Sequence, residues 1–389
     1  MSETMGQVRI PDILRRCYAC PMSAPLEFYA ITPVGFEQVT ADELAELAAH
    51  QPRIGHGGVS FSGSFDTMFR VNLRARTVTR VLLRLGEFRA DTFPELFNKA
   101  RRLKWAQFIN TTHEVEVKAQ CHASKLIHSG RVEETILSAL RDKLGAEQTS
   151  NSGRQTIYAR FDNNICTVSI DTSGERLDRR GYRLESGKAP LRESIAAGLL
   201  RWGGWESDEP LMSPMCGSGT LAIEAACMAA RTPAGLDHDF PFFHWPAFHE
   251  KSWLRVRDRA AGMQRECAPL ISASDINGAA VAITRRNAER AGVGELIAFE
   301  QGDIRHLAPC SEKPGLVIVN PPYGDRIGGD IQRLFADIGR QFGERLAGWR
   351  MLVICPDAAA EKALGLPVEK TLPFLTGGRP VKAVLCRKV

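Results

Sequence analysis

Residues 315 to 329 read GLVIVNPPYGDRIGG, so the apolar run Leu316 to Val319 abuts Asn320, Pro321, Pro322 and Tyr323. A side-chain amide can accept from an amine, and a flat ring can stack on a base. The run itself has the β-branched, apolar character of a strand buried on both faces of a parallel sheet. Proline cannot donate to a ladder, so the strand must stop there, and the residue before each proline is held extended. The result is a stiff loop at the C-terminal edge of a strand, where open α/β sheets bind ligands. A rigid strand-to-helix turn with Tyr323 packed on its neighbours is the plain alternative, and one short motif does not decide between them.

Three other strand ends carry ligand-type residues. Ser213-Pro214-Met215-Cys216-Gly217-Ser218-Gly219-Thr220 leads from a strand into a helix. Its glycines let backbone approach a ligand, although helix–strand packing would use them equally well. It is neither a P-loop nor G-x-G-x-x-G. Asp275, followed by Ile276, ends the next strand, where a carboxylate suits a ribose diol or caps a helix. Gly302-Asp303-Ile304 ends the third: Asp303 can accept from an exocyclic amine, or cap, while Ile304 packs on a purine. Four such ends in succession point to one nucleoside-sized site.

The elements that must position these groups alternate strand and helix from residue 190 onward, which predicts an α/β, doubly wound parallel sheet. VEKTLPFLTGGRPVKAVLCRKV closes it as a hairpin around Gly377-Gly378. Residues 26 to 172 differ, with short alternating strands such as HEVEVKAQC and amphipathic helices such as RVEETILSALRDKL, an α+β region. DTFPELFNKARRLKWAQFI has apolar residues at helical spacing. The change of texture comes after RLDRRGYRLESGKAP.

The chain of 389 residues carries a net charge of only +5, unevenly placed. Residues 70 to 104 hold ten Lys or Arg against three acids, among them Arg70, Arg74, Arg76, Arg80, Arg84, Arg101, Arg102 and Lys104. Such clustering is the footprint of a phosphate backbone, with solvated helix faces as the alternative. No apolar stretch reaches the length of a membrane span, and residues 1 to 25 lack a secretory apolar core, so a flexible tail and a cytoplasmic location without membrane contact are expected. Ten cysteines, many inside apolar runs, suit buried free thiols. Cys17 and Cys20 form a lone C-x-x-C. A zinc site needs about four ligands, so no metal is expected, with redox or metal use as the alternative.

Taken together, RGYR, APLRESIAAGLL, PMCGSGTLAIEAA and NPPYGDR resemble the class I, S-adenosyl-L-methionine-dependent 23S rRNA guanine-N2 methyltransferases of bacteria that carry a THUMP domain. The likeness runs from about residue 27 to the end. It implies a ferredoxin-like part over 26–65, a THUMP RNA-binding domain over 66–172 and a methyltransferase domain over 173–389. It also implies S-adenosylmethionine held by Ser213, Cys216, Gly217, Gly219, Asp275, Ile276, Asp303, Ile304 and Asn320. Asn320 and the Pro321 carbonyl would accept from the target amine, with Pro322 stiffening the loop and Tyr323 stacked on the base. Where the family has aspartate, this chain has Ser213, which keeps a hydrogen bond without the charge; Asp325 stands where glutamate is usual. The implied partner is RNA, foremost a precursor of the large-subunit rRNA, and a monomer is favoured. The same motif also serves tRNA guanine-N2, adenine-N6 DNA and glutamine-N5 protein methylation. A non-catalytic RNA-binding assembly factor is the non-enzymatic alternative.

Overall fold

Local chemistry sets where the helices begin. Ser64 and Thr67 form a reciprocal capping box, and Thr92, Asn277 and Asp357 each accept a backbone N–H with the side chain at a helix start. The computed structural model describes residues 25–109, 114–145, 153–185, 190–267, 270–322 and 331–387.

The N-terminal half runs β1 (Leu26–Ile31), α1 (Glu37–Glu46), β2 (His50–Gly55), β3 (Gly58–Gly63), α2 (Phe65–Arg74), β4 (Arg80–Arg89), α3 (Phe93–Ala100), β5 (Glu114–His122), α4 (Ser129–Leu144), β6 (Arg154–Asp162) and β7 (Ile165–Asp171). Its strands form one seven-stranded sheet in the order β2-β3-β1-β4-β7-β6-β5, with only β5 and β6 parallel. Long β4 joins both ends of this sheet, pairing with β1 and with β7.

The C-terminal half continues with α5 (Glu193–Trp202), β8 (Leu211–Pro214), α6 (Thr220–Ala229), α7 (Glu250–Ala261), β9 (Ile271–Asp275), α8 (Gly278–Arg290), β10 (Ile297–Gln301), β11 (Leu316–Val319), α9 (Ile331–Arg345), β12 (Arg350–Cys355), α10 (Ala358–Ala363), β13 (Val368–Thr376) and β14 (Arg379–Arg387). The order is β10-β9-β8-β11-β12-β14-β13, parallel except for the last two pairings. This is the doubly wound sheet that the alternation predicts, and its order reverses between β8 and β11. Among the described residues no helix is long and apolar enough to cross a membrane.

Three elements depart from the sequence expectations. β2 has no strand signal, because HQPRIG is polar and contains a proline; it forms as an edge strand, where a missing donor is tolerated. The helical spacing after Thr92 extends past the real helix. α3 stops at Ala100, and Trp105–Gln107 is a single 3₁₀ turn with Trp105 fully buried. Third, the segment after α6 crosses back to the N-terminal half. Phe240, Phe242, Trp245 and Trp253 join the core under the first sheet. Phe242 packs on Phe69 at 4.9 Å between ring centres, and Trp245 donates Nε1–H to Gln155 Oε1 at 2.6 Å. The eight cysteines of the described residues are all free thiols, and Cys166, Cys227, Cys355 and Cys386 are buried, as their apolar settings predict.

Candidate active site

After β8 the backbone zigzags through positive φ at Met215 (61°), Gly217 (58°) and Gly219 (86°) before α6 begins. At Gly219 a side chain is excluded twice over: by that φ, and because a Cβ would lie 2.5 Å from Thr284 Cγ2 of α8. At Gly217 a Cβ would meet nothing within 4 Å, so this stretch of turn is open. Asp275 ties the turn to the next strand end. Its Oδ2 accepts from Gly217 N at 3.0 Å and its Oδ1 from Asn277 N at 2.9 Å. Asn277, not Asp275, caps α8. Each carboxylate oxygen retains a second lone pair for a hydroxyl. Cys216 Sγ lies 3.4 Å from Thr284 Oγ1; burial pushes its thiol up to about 11, so it packs rather than attacks.

A cavity of about 260 Å³ opens beside this turn, lined by Met215, Asp275, Ile276, Asp303, Ile304 and Leu334 among others. Four residues expected from the sequence thus share one wall, and Met215 and Leu334 are additions to that set. Asp303 is held rigidly: Oδ1 accepts from Arg305 N at 2.9 Å, and the Arg305 guanidinium grips both oxygens. That hydrogen-bonded cation keeps the Asp303 carboxyl below its usual range, so it is an anion that can only accept. Ser213, 1% exposed, sits inside β8 and does not line the cavity.

Asn320 follows β11, the neighbour of β8 across the switch point. Its Oδ1 is buried and has no hydrogen-bond partner among the described residues. A buried acceptor left unpaired is costly, which marks it as a position that awaits a donor. Pro321 is buried and Pro322 half-buried. Tyr323 and Asp325 lie outside the described residues, as do Cys17 and Cys20.

The basic residues divide. Arg76 is only 8% exposed, with Nη1 3.0 Å from Glu224 Oε2 and Nη2 donating to the Thr232 carbonyl. Arg80 is held by buried Asp171 and the Gly174 carbonyl. Both guanidiniums are therefore internal cross-links, which corrects the expectation of a phosphate contact at these two positions. Arg84 lies over the Tyr29 ring at 5.4 Å. Arg101, Arg102 and Lys104 are exposed, Arg101 beside Asp142. Arg70 and Arg74 face α7, whose Arg255 and Arg259 line the same cavity. Charge density alone misses the α7 arginines; their i, i+4 spacing is the available signal.

A switch-point sheet with a glycine-rich turn, successive strand-end carboxylates and a fourth end in Asn-Pro-Pro is the class I methyltransferase fold. The chain belongs to the RMKL-like methyltransferase domain family, whose profile matches residues 180–374. An RlmL ferredoxin-like domain matches residues 27–82 and a THUMP domain residues 90–171. The ribosomal RNA large subunit methyltransferase K/L of Psychromonas ingrahamii is 31% identical over 376 residues, covering 92% of this chain and 50% of that protein. That of Shewanella baltica is 33% identical over 366 residues, covering 90% and 52%. The chain thus spans about half the length of the curated relatives it matches. Among solved structures, a protein assigned as a methyltransferase and crystallised with SAH superposes with a TM-score of 0.87 at 29% identity, covering 95% of this chain and 99% of that one. A predicted N6-adenine-specific DNA methylase from Listeria monocytogenes gives 0.86 at 26%, covering 98% and 99%.

Proposed function

We propose that this chain is an S-adenosylmethionine-dependent RNA methyltransferase that transfers a methyl group to the exocyclic N2 amine of a guanosine, foremost in large-subunit ribosomal RNA in the cytoplasm. The observation that carries this is the buried Oδ1 of Asn320 at the switch-point edge, which has no partner among the described residues. An amine entering there would supply the missing donor. The K/L names of the curated relatives and the THUMP domain support ribosomal RNA as the substrate.

The residues present fit the cofactor. The open backbone at Gly217, the Asp275 carboxylate and the apolar Ile276 and Ile304 beside Asp303 suit an adenosine, with Cys216, Gly219 and Ser213 shaping the turn from behind. When bound, the cofactor supplies an electrophilic sulfonium methyl. The chain's own task is positioning. Guanine N2 is a weak nucleophile because its lone pair is delocalised into the ring. Acceptance by Asn320 Oδ1 and the Pro321 carbonyl holds both amine protons and turns the lone pair out of conjugation. Tyr323 stacks on the base, which must be unpaired or flipped to reach a strand-end pocket. No strong base is needed before transfer, since the proton can leave the methylated amine to water.

The test is methyl transfer from labelled S-adenosylmethionine to unmodified 23S rRNA, with the product nucleoside identified. N2-methylguanosine is expected. N6-methyladenine formed in DNA would replace this reading with the one carried by the Listeria protein's name. Binding of RNA without cofactor binding or transfer would favour a non-catalytic assembly factor.

A further inference from the structure

Helices α2 and α7 pack side by side, one from the N-terminal half and one from the segment inserted after α6. Each presents an i, i+4 pair of arginines to the seam: Arg70 and Arg74 on α2, Arg255 and Arg259 on α7. All four line one cavity of about 320 Å³. The acids on its wall, Glu46 and Asp66, already have partners. Glu46 pairs with Arg201 at 2.5 Å and Asp66 with Arg255 at 2.6 Å. Arg70 donates to the Leu47 carbonyl at 2.9 Å, whereas the side chains of Arg74 and Arg259 have no ion pair or hydrogen bond among the described residues.

Like charges gathered at a packed seam destabilise the protein unless an anion joins them. The strain is visible at Arg74, whose guanidinium is pushed down by partial burial and then by Arg70, Arg231 and Arg259. Planar guanidiniums on two facing helices can grip a phosphate through paired N–H donors, as lysines cannot. The α7 pair is carried by the segment that crosses back from the C-terminal half, and Trp253, Val256 and Ala260 seat that helix in the N-terminal core. A phosphate held here would therefore fix the RNA on the N-terminal half, at a seam built from both parts of the sequence.

We propose that the α2–α7 seam is a phosphate-binding site for the RNA backbone, with Arg74 and Arg259 as its free donors. The proposal rests on the RNA-methyltransferase reading above. The test is binding of an unmodified 23S rRNA fragment to the full chain by fluorescence anisotropy at salt concentrations from about 50 to 200 mM, the range over which phosphate neutralisation shows in the affinity. The unaltered chain is compared with Arg74→Gln/Arg259→Gln and with Arg259→Gln alone. Arg259 is exposed on its helix, so the single variant folds even if the double variant does not. The slope of log affinity against log salt should fall by about 0.7–0.9 for each phosphate that is no longer neutralised. S-adenosylmethionine binding should be unchanged, and the melting temperature of the double variant equal or higher, because repulsion has been removed. Salt-dependent binding with the same slope and affinity in every variant would overturn the site and leave the RNA reading standing. Binding that is absent or independent of salt in the unaltered chain would overturn both.

Discussion

Arg76 Nη1 lies 3.0 Å from Glu224 Oε2, and this ion pair joins the end of α2 to the helix that starts at the glycine-rich turn. Glu224 is 0% exposed. It also receives the Tyr182 hydroxyl at 3.2 Å and has Arg180 Nε at 3.5 Å. On the other side, Glu43 accepts from Arg76 N at 3.0 Å and from Thr77 N at 2.9 Å. The two halves are thus welded by a hydrogen-bonded charge network directly behind the candidate cofactor turn.

Removing one member of such a network leaves a buried charge unpaired. Arg76→Ala should cost about 3–5 kcal/mol in urea unfolding, whereas exposed Arg102→Ala should stay within about 0.5 kcal/mol. Equal, small losses in both variants would show that Arg76 is merely surface charge.

Asp275 links the glycine-rich turn to β9 and faces the cavity. Asp275→Ala should weaken S-adenosylmethionine binding by about 1–3 kcal/mol in calorimetry, the scale for losing a charged hydrogen-bond partner. Unchanged affinity would remove Asp275 from the site.

Glu193 begins α5 and is 3% exposed, with its Oε2 2.7 Å from Arg183 Nη2. Burial outweighs the arginine and pushes this carboxyl from 4.5 up to about 7. The folded state therefore holds the proton more tightly than the unfolded chain. The stabilisation is fully present below about pH 4.5 and is lost as pH rises through 7. Relative to Glu193→Gln, the unaltered protein should lose up to ~3 kcal/mol between these limits, measured by denaturant unfolding at each pH. A constant difference across the range would mean that Arg183 keeps the carboxylate ionised throughout.

How much of this is legible in the sequence depends on which physics a residue obeys. Strand-to-helix alternation fixes which residues stand at strand ends, so the sequence alone brings Asp275, Ile276, Asp303 and Ile304 to one sheet edge, where they line one cavity. Arg76 and Arg80 cannot be separated from Arg74, because local charge counting does not register a buried acid such as Glu224 or Asp171 far along the chain. The aromatic segment around Phe240 and Trp245 has no period of 2 or 3.6, and its partners lie in another half of the chain. β2 is hidden for a related reason: an edge strand needs a neighbour more than an apolar face.

Asn320 closes the chemistry. Its buried Oδ1 lacks a partner among the described residues, so Asn320→Ala removes no hydrogen bond seen at this atom, and the fold should persist with near-unchanged stability. Turnover should nevertheless fall by orders of magnitude. On the proposed mechanism, loss of this acceptor would leave the amine's lone pair in the ring and misaimed, and misplacement by about 1 Å can cost ~10²-fold. On the same reading RNA affinity should barely change, since backbone contacts elsewhere would dominate it. Tyr323→Phe should be mild because the ring face survives, while Tyr323→Ala should forfeit stacking worth ~1–3 kcal/mol per base. The measurement is single-turnover methyl transfer with saturating rRNA and cofactor, alongside thermal melting of each variant. Near-normal transfer by Asn320→Ala would reduce Asn320-Pro321-Pro322-Tyr323 to a stiff turn at the end of a buried strand.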